Sequence, residues 1–291
     1  MEKRTGITAQ FAACFRDHRD RARIELTVAE LVAQRVYGLA LGYEDLNDHK
    51  ELRRDPLLAV WVEKADPQGE DRRRARDRGQ ALAGKSTLNR LELTGAEVQE
   101  DERSKKIALD EAAVDQMFVA VFLAAHREAP PEIILDLDST DDPLHGQQEG
   151  RFFHGYYGHY CYLPLYLFCG EHLLGARLRS SNLDPAAESQ QALEGIVKQI
   201  RQTWPKVRII VRGDSGFCRE ELMAWCEEQG TDYVLGLAKN ERLKAAFVSA
   251  LAQAEEQYRQ TGRAAPVTAS ASQGKGQGRP DVVCWAFISK Y

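Results

Sequence analysis

No stretch of this 291-residue chain approaches the roughly 20 consecutive apolar residues that a membrane helix needs. The opening MEKRTGITAQ also lacks the apolar core of a secretory signal. Neither a membrane partner nor an exported protein is expected, and the cytoplasm is the expected compartment. The six cysteines (Cys14, Cys161, Cys169, Cys218, Cys226, Cys284) form no C-x-x-C pair and no repeated ligand spacing, which argues against a structural zinc site. In a reducing compartment they read as small buried hydrophobes. No internal repeat is present. Positive charge is not in excess: 39 Lys and Arg face 44 Asp and Glu, a formal net charge of −5. That excludes a protein coated in positive charge. It does not exclude nucleic acid, which needs only a local basic surface. RDHRDRAR (Arg16 to Arg23) and RRRARDR (Arg72 to Arg78, with Arg72, Arg73 and Arg74 at its head) are the two candidates. Solvated surface is the plainer reading of both.

One motif that is present lacks its context. GQALAGKSTL, Gly79 to Leu88, fits the phosphate-cradling pattern G-x-x-x-x-G-K-[ST] at Gly79, Gly84, Lys85 and Ser86. Such a loop binds phosphate when a buried strand feeds it and a helix leaves it, so that backbone N–H groups converge on the anion. The residues before it, GEDRRRARDRGQ, hold no apolar residue except Ala75 and cannot be a central parallel strand. The better reading is a helix beginning near Leu88, capped by Ser86 or Thr87, with Lys85 solvated. No nucleotide is expected.

Along the chain, TVAELVAQRVYGLAL (Thr27 to Leu41) and residues 105–128 carry apolar residues at helical spacing, and Pro56 stops or starts a helix between them. Residues 1–130 thus read as a helical region. The character changes at APPEIILDLDSTDDPLHG, where Ile133, Ile134 and Leu135 run into alternating Asp136, Leu137 and Asp138, as in a strand leaving a core. HYCYLPLYLFCG (159–170) and EHLLGARLRS (171–180) read as two further strands. AAESQQALEGIVKQIRQTW then reads as a helix, KVRIIVRGDSGF as a strand, REELMAWCEEQG as a helix and TDYVLGLAKN as a strand. Residues 131–240 therefore predict a mixed α/β sheet, a three-strand meander followed by alternating helix and strand. Residues 241–291 give a long amphipathic helix, a Gly-rich polar stretch, and DVVCWAFISKY as the start of a strand.

Asp138 and Asp214 stand at the carboxyl ends of the first and fourth predicted strands of that sheet, where ligands of open α/β sheets gather. Asp136, two residues back, shares the face of Asp138. Carboxylates from neighbouring strands suit Mg²⁺ or Mn²⁺, and two such ions about 4 Å apart can activate an attacking oxygen and stabilise a leaving oxygen at phosphorus. Either Asp alone can simply cap a turn, as GDSG suggests for Asp214. Their occurrence together, in this strand order, is the arrangement of a ribonuclease H-like fold. Nearby, His154 and His159 in FFHGYYGHY read either as metal ligands or DNA-end contacts, with Tyr156 and Tyr157 stacking on unpaired bases, or as local packing. Arg212 and Arg219 flank Asp214 and read either as phosphate contacts or as surface.

The blocks QRVYGLALGYEDLNDHKELRRDPLL, LAGKSTLNRLE, LDLDSTDDPLHGQQEG, FHGYYGHYCYLPLYLFCG and VRGDSGFCREELMAWCEEQGTDYVLGLAKN together resemble bacterial insertion-sequence transposases of the DDE class, group 1 branch. The resemblance runs from about Thr5 to the last residues. It implies an RNase H-like core behind a helical, DNA-end-binding N-terminal region. It also implies cleavage of double-stranded DNA at terminal inverted repeats, transfer of 3′-hydroxyls to target DNA, divalent metal, and a homo-oligomer on DNA. Asp138, directly before Ser139 and Thr140, resembles the first catalytic carboxylate, with Asp136 as its alternative, and Asp214 resembles the second. The family's third carboxylate is a Glu beyond a β-rich insertion, and the chain ends as it enters that insertion. Glu241, Glu255 and Glu256 match it poorly. The expectation is a transposase lacking its third carboxylate, or else a truncated DNA-binding remnant or inhibitor of an intact relative.

Overall fold

Thr27 starts a 13-residue helix of the N-terminal region through a reciprocal cap. Its hydroxyl accepts from the Glu30 N–H at 3.2 Å, while the Glu30 carboxylate accepts from the Thr27 N–H at 2.7 Å. The computed structural model describes residues 6–94, 105–238, 241–261, 268–269 and 284–285. The chain divides into two units, Met1–Ala124 and Ala125–Tyr291.

In the first unit, α1 (Ile7–Ala13) and β1 (Phe15–Asp17) lead to α2 (Val28–Ala40), α3 (His49–Leu52) and α4 (Pro56–Trp61). These are followed by α5 (Lys85–Glu92), β2 (Ile107–Leu109) and α6 (Glu111–Ala124). Pro56 starts its helix, where its missing N–H costs nothing, and Asp55 caps it by accepting from the N–H groups of Leu57 and Leu58. Helix α2 sits between two apolar clusters, giving Leu31 and Val32 to one with Leu88, Leu91 and Ile107, and Ala33 to the other with Leu52, Leu58 and Leu82. Two expectations are corrected here. Residues 105–128 do not form one helix: Ile107–Leu109 pairs antiparallel with Phe15–Asp17, and Asp110 then caps α6 by accepting from Ala113 N–H. Helix α5 begins at Lys85 with Gly84 as N-cap, ahead of the expected start near Leu88; Lys85 itself is exposed, as expected, and its Nζ donates to Asn47 Oδ1 at 2.7 Å. Among the described residues no strand lies between Asp17 and Gly79, so none feeds the loop and the phosphate-loop context is absent.

Behind that stretch lies a buried polar junction. The Gln34 amide, 1% exposed, accepts from Ala83 N–H at 2.8 Å, donates to Ala83 C=O at 2.8 Å and approaches His49 Nδ1 at 2.9 Å. Because the amide oxygen is taken by an N–H, its nitrogen must donate, so His49 Nδ1 accepts and His49 is neutral. Burial, followed by the charge on Arg35, holds His49 below its usual pKa. His49 protonates more readily in the unfolded chain, so stability is full above about pH 6.5 and falls below it by up to about 1.4 kcal/mol per pH unit. Asp45, Asp66 and Asp110, held low chiefly by backbone N–H donors, act only below about pH 4. Urea unfolding between pH 8 and 5 should show this loss in wild type and not in His49→Gln. Equal slopes in the two proteins would place the titrating group elsewhere.

The second unit contains β3 (Glu132–Ser139), β4 (Asp142–Pro143), β5 (Phe152–His154), β6 (His159–Tyr162), β7 (Leu165–Cys169) and β8 (His172–Arg177). After these come α7 (Ser189–Thr203), β9 (Arg208–Gly213), α8 (Glu220–Gln229), β10 (Asp232–Leu235) and α9 (Glu241–Thr261). The central sheet has the order β10-β9-β3-β7-β8. β3, β9 and β10 run parallel, while β7 and β8 fold back antiparallel. This meander followed by helix, strand, helix, strand is the ribonuclease H-like order expected from the sequence. The face bearing Ile133, Leu135, Leu137, Leu167 and Val211 is buried, and Ile196 of α7 packs against Gly175 on it. The run 159–170, expected as one strand, is two: Pro164 has no N–H to give a ladder, and β6 leaves for a small sheet ordered β4-β6-β5. Of the C-terminal DVVCWAFISKY, only Cys284–Trp285 is described, paired antiparallel with Thr268–Ala269; the rest lies outside the described residues.

Candidate active site

The parallel register of β3 and β9 sets Asp136 opposite Arg212 and Leu137 opposite Gly213. The next residues are Asp138 and Asp214, so the two acids directly follow the last paired positions of two neighbouring parallel strands, whose backbones lie about 4.8 Å apart. Side-chain alternation puts Asp138 on the face opposite buried Leu137, and both acids are exposed. Asp214 also caps a turn, its Oδ1 accepting from Gly216 N–H at 2.8 Å. The turn and the strand-end position thus coexist in one residue.

Three arginines border this end of the sheet, and each is engaged away from the two acids. Arg212 grips Asp136 with two parallel bonds, one of them Nη2 to Oδ2 at 2.8 Å, and this pairing raises the Arg212 pKa. Arg219 donates to Asp184 at 2.8 Å. Arg179 is buried at 4% exposure and donates to Ser139 Oγ at 2.9 Å. Asp136 is therefore occupied, while Asp138 and Asp214 keep oxygens to offer.

Alongside stands the small sheet with its β5–β6 hairpin. Tyr157 is half-buried there, and burial first, then Asp141, Tyr156, Asp138 and Asp214, hold its phenol above the usual range. Both strand-end acids are thus within electrostatic reach of one hydroxyl. The His154 and Tyr156 rings lie 4.8 Å and 5.0 Å from Tyr157, and Tyr156 is 87% exposed. His159 Nε2 is 2.7 Å from Asp141 Oδ2, and the Arg151 guanidinium lies 4.6 Å over the Tyr160 ring. Among the described residues no group of three or more His, Cys, Asp or Glu is placed to hold a metal. In the first unit, Arg72 is spent on Glu25 at 2.8 Å and on Gln80 C=O, and Arg73 on Ala22 C=O, while Arg74 is exposed.

Sequence reasoning missed Asp141, Arg179 and Ser139. It also missed the close approach of Gly236, which follows β10. A Cβ at Gly236 would lie 2.8 Å from Ser215 N and 3.0 Å from the Asp214 carbonyl carbon, both backbone atoms. Gly236→Ala must therefore displace the Asp214 turn. It should cost about 1–3 kcal/mol in thermal unfolding. A variant with the wild-type midpoint would show that the turn shifts freely.

A ribonuclease H-like sheet presenting two adjacent strand-end acids defines the class. Residues 1–278 match the family model for transposase DDE domain group 1, and the chain belongs to that family. Among solved structures it is similar to the catalytic domain of Mos1 mariner transposase, with 11% identity over 57% of this chain and 78% of that one and a TM-score of 0.27. It is also similar to the Mos1 mariner paired-end complex with Mn, with 10% identity over 80% of this chain and 76% of that one and a TM-score of 0.26. The fold assignment rests on the strand order itself, not on likenesses this distant. No curated protein matches the chain in sequence. No helix among the described residues is long and apolar enough to cross a membrane.

Proposed function

We propose that the chain acts on double-stranded DNA at the ends of a mobile element, with Asp138 and Asp214 as carboxylates for Mg²⁺ or Mn²⁺. The observation that carries this reading is the adjacency of two exposed acids on parallel strand ends, with every bordering arginine engaged elsewhere. Like charges side by side repel, and a divalent cation between hard oxygen donors relieves that repulsion. When bound, such ions activate an attacking oxygen and stabilise a leaving oxygen at phosphorus. The protein's own part is to hold the two carboxylates, Asp138 on β3 and Asp214 in its turn, with the Tyr157 phenol, held protonated chiefly by burial, in the hairpin alongside. Tyr156 offers an exposed ring for stacking on a base and His154 a ring beside it, with Arg74 exposed for phosphate in the first unit. Arg212 and Arg219 already spend donors on Asp136 and Asp184, so a phosphate at either guanidinium would share it with a carboxylate. The third carboxylate implied by the family resemblance is not grouped with these two among the described residues. Assembly as a homo-oligomer on DNA belongs to the same proposal.

The test is nicking of supercoiled plasmid and of inverted-repeat duplexes with Mg²⁺, Mn²⁺ or EDTA, beside binding measured across a salt series. Metal-dependent nicking with salt-sensitive binding supports the proposal. Salt-sensitive binding with no nicking in any metal overturns the catalytic half and leaves a DNA-binding module. Absence of both overturns the whole.

A further inference from the structure

We infer that Arg179 is a positioning residue that sets the Asp138 strand end in place through Ser139, an inference that rests on the metal-carboxylate reading above. Arg179 is buried, and burial lowers its pKa, yet none of its hydrogen bonds goes to a carboxylate. Nε donates to Leu163 C=O at 3.0 Å and Nη1 to Ala187 C=O, while Nη2 donates to Ser139 Oγ at 2.9 Å and to Pro185 C=O at 3.2 Å. A planar fork that spends its donors on three carbonyls and one hydroxyl fixes backbone rather than neutralising charge.

What it joins gives the arrangement its meaning. Ser139 ends β3, directly after Asp138. Leu163 lies where β6 gives way to β7, and its N–H returns a bond to Arg179 C=O at 2.8 Å. Pro185 and Ala187 belong to the segment between β8 and α7, and that segment also reaches the other acid. Arg219, five residues past Asp214, donates to Asp184 at 2.8 Å, and a Cβ at Gly216 would lie 2.9 Å from Asp214 Oδ1 and 3.2 Å from Pro185 Cβ. Residues 179–187 thus hold the end of β3 on one side and the Asp214 turn on the other. Among the described residues, the Ser139 bond is the side-chain hydrogen bond that extends this strap to the Asp138 strand.

The experiment uses the full chain and Mn²⁺ alone, titrated with detection by electron paramagnetic resonance, beside thermal unfolding. Wild-type Mn²⁺ binding must first weaken in Asp138→Asn and Asp214→Asn. If it does not, the metal-carboxylate reading fails and the positioning role falls with it. Given that, Ser139→Ala should weaken Mn²⁺ binding about tenfold or more, the size of an outer-partner loss at metal sites. Its unfolding midpoint should barely move, since Nη2 keeps Pro185 C=O and every guanidinium nitrogen retains an acceptor. Ser139→Thr, which restores the hydroxyl on a strand-favouring residue, should recover binding. Arg179→Lys, unable to fork across four acceptors, should lose binding as Ser139→Ala does. Wild-type Mn²⁺ affinity in Ser139→Ala overturns the inference. So does a loss in Ser139→Ala that Thr fails to restore, or one that tracks the unfolding midpoint across all variants.

Discussion

Asp214→Asn is expected to lower metal-dependent strand cleavage more than about a hundredfold, beyond the loss typical of a metal site's outer partners, while the unfolding midpoint stays level or rises slightly. The amide keeps an oxygen for the Gly216 N–H, so the turn survives and only the charge is removed. Asp138→Asn removes the other charge of the pair. Each change also removes one of two like charges at neighbouring strand ends, so stability is not expected to fall with activity. A residue whose only task was to cap its turn would show no loss of cleavage in Asp214→Asn. Full cleavage by that variant therefore sinks the carboxylate assignment. Asp136→Asn discriminates within β3: a loss as large as that of Asp138→Asn would move the first metal ligand to Asp136 and require Arg212 to release it.

Much of this was legible because the deciding physics is local. Apolar residues at helical spacing between Thr27 and Leu41 announce α2, and the run Ile133 to Asp138 announces a strand that emerges from a core. The two acids were found by position, since strand ends of an open sheet mark where side chains leave the core. What stayed hidden depends on partners far apart in sequence. Arg212 reads equally as a phosphate contact or as surface, and its pairing with Asp136 shows only once the β3 and β9 register sets the two opposite each other. Ile107 to Leu109 continues a helical pattern until Phe15 to Asp17 offers it a ladder. Arg179 left no trace in side-chain spacing because its carbonyl acceptors belong to the backbone. GQALAGKST matched a ligand motif, yet what holds it lies in a helix more than forty residues earlier.

That hold yields the largest stability effect expected in the first unit. Gln34→Ala strips a buried junction of its centre, leaving Ala83 N–H, Ala83 C=O and His49 Nδ1 without their partner. At about 1–3 kcal/mol for an orphaned buried group, and with a cavity added, the loss should be about 3–5 kcal/mol. Chemical unfolding at pH 7.5 measures it, and a loss under about 1 kcal/mol would mean that the junction is not fixed as described. Gln34→Glu separates hydrogen bonding from packing. The carboxylate fits the same space and still accepts from Ala83 N–H, but it buries a charge, its second oxygen now faces Ala83 C=O, and neutral His49 meets it only by moving its proton from Nε2 to Nδ1. At pH 8 it should therefore be nearly as damaging as the alanine. As pH falls, a proton on His49 offsets the buried charge, or one on the new carboxylate turns the repulsion into a hydrogen bond, so stability recovers toward pH 5.5. Wild type moves the opposite way over the same range, because there the proton breaks the bond that Gln34 donates. Curves of the same sign in the two proteins would break the link between Gln34 and His49.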